Sequence, residues 1–120
     1  MADQRVTRRG AGEPLELRRV RRRIDALDRR IVRLLNERAE LARDAGQIKA
    51  ATGGRAIRDA EREREVLLRV SMANEGPTPQ ADLLAIFRRL FTVARDLERR
   101  DRTRKQRTVP RGGPTRTDDD

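Results

Sequence analysis

Arg38 occupies a position that the surrounding pattern reserves for apolar side chains, between Leu34 and Leu41. A charge in such a place is costly unless an opposite charge or an anionic ligand meets it. Two readings stand side by side: a polar residue that fixes the register of paired helices, or one that grips an anion. Lys49 follows eleven residues later, about three helical turns, so the two cationic heads can converge on one anion. Lys49 also reads as a solvated lysine near a helix end, where the dipole favours a cation. Arg21 flanks the same seam beside Val20 and Ile24, about 25 Å along the axis from Arg38. One straight helix cannot bring both arginines to one small molecule, but an antiparallel pair of chains can. Arg22 and Arg23 read as solvated.

Acids recur in the same manner. Asp59 and Glu63 are four apart and continue the face of Val66 and Val70. They are equally well read as N-terminal acids that cap a helix and complement its dipole, which fully suffices for Glu61 and Glu65. Arg62 has acids close by with which to pair. Phe87, Phe91, Ala94 and Glu98 form one stripe at spacings of four, three and four, so Glu98 continues an apolar face; the plainer reading is a solvated glutamate near a fraying end. Each position is weak alone. Together they describe a polar pocket of net positive character inside a helical assembly.

Three helical stretches must position these groups. The first is expected from about Leu15 to Ala51, with Leu17, Val20, Ile24, Leu27, Ile31, Leu34, Arg38, Leu41, Ala45 and Ile48 spaced alternately by three and four, a heptad seam. Thr52-Gly53-Gly54 ends it. The second runs from near Asp59 to about Asn74, with Val66, Leu67 and Val70 on its apolar face, and Gly76-Pro77-Thr78-Pro79 is the next break. The third runs from about Gln80 to Arg100, with Leu83, Leu84, Ile86, Phe87, Leu90, Phe91, Ala94 and Leu97 inward. Residues 1–14 and 102–120 lack periodicity and are expected to be disordered arms around a helical domain of residues 15–101.

A helix of the first stretch's length is about 55 Å long, whereas a compact domain of about 100 residues has a radius of gyration of about 13 Å. Two shorter helices cannot cover such a seam, so long helices from two chains are expected to pair. Charged residues make up 42% of the chain and aromatics 2%, which also favours a core enlarged by oligomerisation.

The chain has no Cys, His, Tyr or Trp. This removes disulfides, thiolate chemistry, the usual general base, the usual zinc ligands and most stacking side chains. No metal or cofactor is expected. No apolar run reaches membrane-spanning length and no signal-peptide pattern opens the chain, so a cytoplasmic protein is expected. The net charge of +10 suits an anionic substrate, a nucleic acid or a merely basic surface.

The stretch VRRRIDALDRRIVRLLNERAELARDAGQIK resembles the long first helix of the all-helical chorismate mutases. RDAEREREVLL resembles their second-helix motif, and NEGPTPQADLLAIFRRLFTVARDLE their third helix with its preceding loop. The resemblance covers roughly residues 15–100, in order and with compatible spacing. It implies a domain-swapped homodimer of three-helix chains, with two active sites at the subunit boundary, in which this isomerase converts chorismate to prephenate in the shikimate pathway to aromatic amino acids. It assigns Arg38 and Lys49 to a substrate carboxylate, with Lys49 also near the ether oxygen. Arg21 would come from the other chain to the second carboxylate, Asp59 and Glu63 would hold the ring hydroxyl, and Arg62 would support the carboxylate end. Ala94 stands where many members carry a serine near a carboxylate; Glu98 stands where many have glutamine and others glutamate.

The implied reaction is an intramolecular pericyclic step needing no nucleophile, proton transfer, metal or redox cofactor. The protein must hold a flexible dicarboxylate in its compact reactive shape and stabilise charge on the ether oxygen as the C–O bond breaks. Arg suits bidentate carboxylate binding and Lys offers a compact charge.

Sibling activities are a mutase acting on 4-amino-4-deoxychorismate, whose amine would also suit Asp59 and Glu63, and isochorismate pyruvate lyase. A partner enzyme of the shikimate pathway is a further possibility. From a different class, a basic helical nucleic-acid binder is supported by Arg18–Arg19 and Arg21–Arg23 but by no recognition motif. A purely structural coiled coil explains the heptads but not the inward polar groups.

Glu98 yields a test. A protonated carboxyl beside the ether oxygen would donate a hydrogen bond, whereas an ionised one would repel the developing charge. Activity is expected to fall with rising pH as Glu98 ionises, and Glu98→Gln to flatten that loss; an unchanged pH profile in the variant would count against the role.

Overall fold

A computed structural model describes residues 12–53 and 59–116, with side chains as far as residue 105. The elements among the described residues are α1 (Leu15–Ala51), α2 (Ala60–Ala73) and α3 (Gln80–Arg116), with no strand. The chain forms two compact units, Met1–Arg38 and Ala39–Asp120. The first contains the leading stretch of α1. The second contains the end of α1 together with α2 and α3.

Both long helices open just after a proline, whose missing N–H costs nothing at a helix start. The Pro14 carbonyl accepts from the Arg18 N–H at 3.1 Å, and the Pro79 carbonyl from the Leu83 N–H at 3.1 Å. α1 closes where expected. The Thr52 hydroxyl donates to the carbonyls of Ile48 and Lys49, each at 3.1 Å. Gly53 then takes φ +95°, a left-handed conformation suited to glycine.

In the first unit the α1 seam stands half in water, with Val20 49%, Ile24 49% and Leu34 55% exposed. Leu41 and Ile48, in the second unit, are exposed as well. The expected apolar stripe is therefore present on α1 and, among the described residues, stands exposed.

α2 and α3 pack on each other. Val66, Leu67 and Val70 of α2 are half-buried, as are Leu83, Leu84, Phe87, Leu90, Ala94 and Leu97 of α3, and Phe91 is buried with 7% exposure. Ile86 was expected inward but is exposed. It lies one residue, about 100° of helix rotation, from the Phe87–Phe91–Ala94 stripe. Between α2 and α3, Asn74 braces the turn: its side chain accepts from the Gly76 N–H at 2.9 Å and donates to the Thr78 carbonyl at 3.1 Å.

α3 overruns its expected end at Arg100 and continues to Arg116. The irregular tail expected from residue 102 rested on Pro110, Gly112, Gly113 and Pro114, all of which fall within the helix's span. The intervening Arg102, Arg104 and Lys105 are good helix formers, which lets a helix already nucleated propagate. Most of the expected N-terminal arm, residues 1–11, lies outside the described residues. Among the described residues no helix is long and apolar enough to cross a membrane.

Candidate active site

Arg21 and Arg38 belong to the first unit. Arg38 is half-buried although the residues on α1 before it are exposed. Arg21 is mostly exposed and pairs with Glu13.

The second unit holds the remaining predicted residues. Lys49 stands half-buried in the last turn of α1. Asp59 is the N-cap of α2, its side chain accepting from the Arg62 N–H at 3.0 Å, so local structure already accounts for this acid. The Arg62 guanidinium reaches Glu65 at 2.7 Å on an exposed face. Glu63 differs from these. Its Oε2 accepts from Arg95 Nη1 at 2.5 Å, the two side chains being 16% and 20% exposed. Glu63 thus faces α3, as its spacing with Val66 and Val70 predicts.

Glu98 lies against α1 at Gly46. A Cβ on Gly46 would meet the Glu98 side chain at 2.9 Å (Cδ), 3.0 Å (Cγ) and 3.1 Å (Oε2). Beside this contact, between α1 and α3, is a cavity of about 380 Å³, within the range of small-molecule sites. Its walls include Arg43, Gly46, Gln47, Glu98 and Asp101. Asp101 and Arg43 close one side as a forked pair, with Nε to Oδ2 at 3.0 Å and Nη2 to Oδ1 at 3.1 Å. The hydrogen bonds to Asp101, then the charges of Asp101 and Glu40, raise the Arg43 guanidinium above its ordinary value. A raised cation stabilises the fold at every pH below that ordinary value and ceases to do so only as pH rises through the folded value, above the range in which proteins work.

Sequence reasoning missed Gly46, Arg95 and Asp101. Asp101 continues the stripe of Ala94 and Glu98 by three residues, so its direction was readable once α3 was taken past Arg100. Gly46 also carried a signal: a glycine inside a helix costs about 1 kcal/mol relative to alanine and asks for a packing reason. Arg95 carried none, because its partner lies on another helix.

Residues 20–99 match the family described as chorismate mutase type II. The chain belongs to this family. Among similar proteins is a bifunctional chorismate mutase/prephenate dehydratase of Aquifex aeolicus, 38% identical over 89 residues, or 71% of this chain and 24% of that protein. The protein of the same description from Neisseria gonorrhoeae is 39% identical over 79 residues, 66% of this chain and 21% of its own length. The chain therefore spans less than a quarter of the length of these curated relatives. A solved chorismate mutase (form II) of Thermus thermophilus superposes with a TM-score of 0.67 at 32% identity, covering 71% of this chain and 96% of that one.

Gly46→Ala separates packing from site geometry. The added methyl meets the movable end of Glu98 rather than backbone, and alanine gains about 1 kcal/mol of helix propensity. The variant is expected to melt at the wild-type temperature or above while its Glu98 carboxyl is displaced from α1. A clear drop in Tm would mean that the helices themselves had to part.

Proposed function

We propose that this chain is a chorismate mutase that converts chorismate to prephenate as a homodimer, each site drawing Arg21 from one chain and its other groups from the partner. The observation that carries this reading is family membership across residues 20–99, a span that includes every one of the proposed site residues. Two features of the molecule support it. The acids Glu63 and Glu98 are drawn inward against neighbouring helices instead of standing in water. The α1 seam offers a second copy the apolar surface that a dimer buries.

The residues meet the demands of the reaction without a nucleophile. As the ether C–O bond breaks and the new C–C bond forms, electrons move within the substrate and no proton leaves it. Arg38 and Arg21 would hold the two carboxylates so that the chain's reactive ends lie together, replacing a rare solution conformer by a bound one. Lys49 would place a compact positive charge at the ether oxygen, where charge builds in the transition state. Glu63, with Asp59 beside it, would accept from the ring hydroxyl. Glu98, packed close to α1 at Gly46, would stand beside the ether oxygen. Ala94 offers no hydroxyl, so a carboxylate contact made by serine in many members is absent here.

A cytoplasmic setting and a partner enzyme of the same pathway are parts of this proposal. The relatives' pairing of chorismate mutase with prephenate dehydratase supports such a partner.

The test is chorismate loss and prephenate formation by purified protein, wild type against Arg38→Ala. Turnover by the wild type and a fall of about 10²-fold or more in kcat/KM for the variant are expected, the scale of removing one preorganised donor from a charge-stabilising site. A well-folded wild-type dimer that leaves chorismate untouched would overturn the reading.

A further inference from the structure

We propose that Arg95 sets the substrate class of the site: by pairing with Glu63 it makes the ring-substituent end accept a neutral hydroxyl and reject an ammonium. This rests on the reading above, in which Glu63 meets the substituent on the substrate ring.

An unpaired, partly buried glutamate would attract a protonated amine at least as well as a hydroxyl. The pair is different. Arg95 Nη1 donates to Glu63 Oε2 at 2.5 Å, and both side chains are largely out of water. Arg95 Nη2 also donates to Thr92 Oγ1 at 3.3 Å, one turn back on α3, which orients the guanidinium plane. A carboxylate and a guanidinium in contact sum to no net charge. A carboxylate has about four acceptor sites, so engagement by Arg95 is compatible with accepting from a substrate hydroxyl. An ammonium at the same place would gain little from a compensated carboxylate. It would also stand beside a fixed cation where water screens poorly.

Asp59, which the reading above also places at the ring substituent, is a second acid there, but it stands in water, where its charge is screened. It accepts from the α2 backbone as its cap. Arg62 adds a further cation, paired with Glu65 on an exposed face. On α3, Glu98 lies one turn beyond Arg95 and packs at Gly46 of α1. Arg95 also adjoins Ala94, so the sequence that lacks a small hydroxyl at one position carries a guanidinium at the next. Arg95 itself touches Glu63 and is therefore a positioning and specificity residue rather than a catalytic one.

The experiment compares kcat/KM for chorismate and for 4-amino-4-deoxychorismate, whose amine is protonated near neutral pH, using wild type, Arg95→Met and Arg95→Lys. Wild type is expected to favour chorismate by about 10-fold or more, the size of one misplaced polar contact. Arg95→Met, long but uncharged, is expected to shrink that ratio about 10-fold, and Arg95→Lys to keep most of it. A merely structural tie between α2 and α3 would lower both substrates together and leave the ratio alone. That result would overturn the proposal, as would a wild-type enzyme that uses chorismate yet treats the two substrates equally, whatever the variants do. Wild type inert toward both substrates would instead overturn the mutase reading itself, and this proposal with it.

Discussion

A stripe of leucine, isoleucine and valine runs along α1 with roughly half of each side chain in water, and most of the molecule's organisation follows from that exposure. The chain is 42% charged with two phenylalanines, so one copy has little with which to cover so long a face. Among the described residues Phe91 is the one side chain that is buried. α2 and α3 use their own apolar faces on each other. Burial is worth about 25 cal/mol per Å² of apolar surface. A second α1 seam laid on the first would supply what the single chain lacks, and would bring an arginine from each chain toward the other's polar groups.

The same scarcity of apolar material explains how the helices are tied. Where hydrophobic packing is thin, long charged side chains bridge the gaps: Glu63 to Arg95 between α2 and α3, and Arg43 to Asp101 between α1 and α3. Such pairs direct helix placement more than they stabilise it, because desolvation offsets much of the attraction. They leave a cavity between α1 and α3 rather than a filled seam. Of the described residues proposed for the site, Glu98 lines this cavity.

Much of this was legible in the residues. The alternation of three and four along α1, ended by Thr52 and Gly53, defines that helix to its terminal residues, because local periodicity and glycine chemistry both act over a few positions. The second helix came out one residue shorter at each end, since Asp59 and Asn74 are its caps. The end of α3 was not legible: proline and glycine argue for a stop, while the arginines and lysine before them favour continuation, and local rules do not rank the two. The Arg95–Glu63 pair was hidden for another reason. It joins residues 32 apart, and only the packing of α2 on α3 decides which acid a given arginine meets. Asp59 shows the reverse difficulty: its place in the sequence suits capping and substrate binding alike, and the cap is what the structure shows.

If a second copy completes each site, two damaged chains must restore in mixture an activity that neither has alone. Arg21→Ala and Arg38→Ala would each be nearly inactive alone. Unfolded together in equal amounts and refolded, half of the dimers would be mixed, and each mixed dimer would contain one intact site of two. Recovery of about a quarter of wild-type activity is the predicted result for sites shared across a two-fold dimer. A mixture no more active than its separate components would contradict the account.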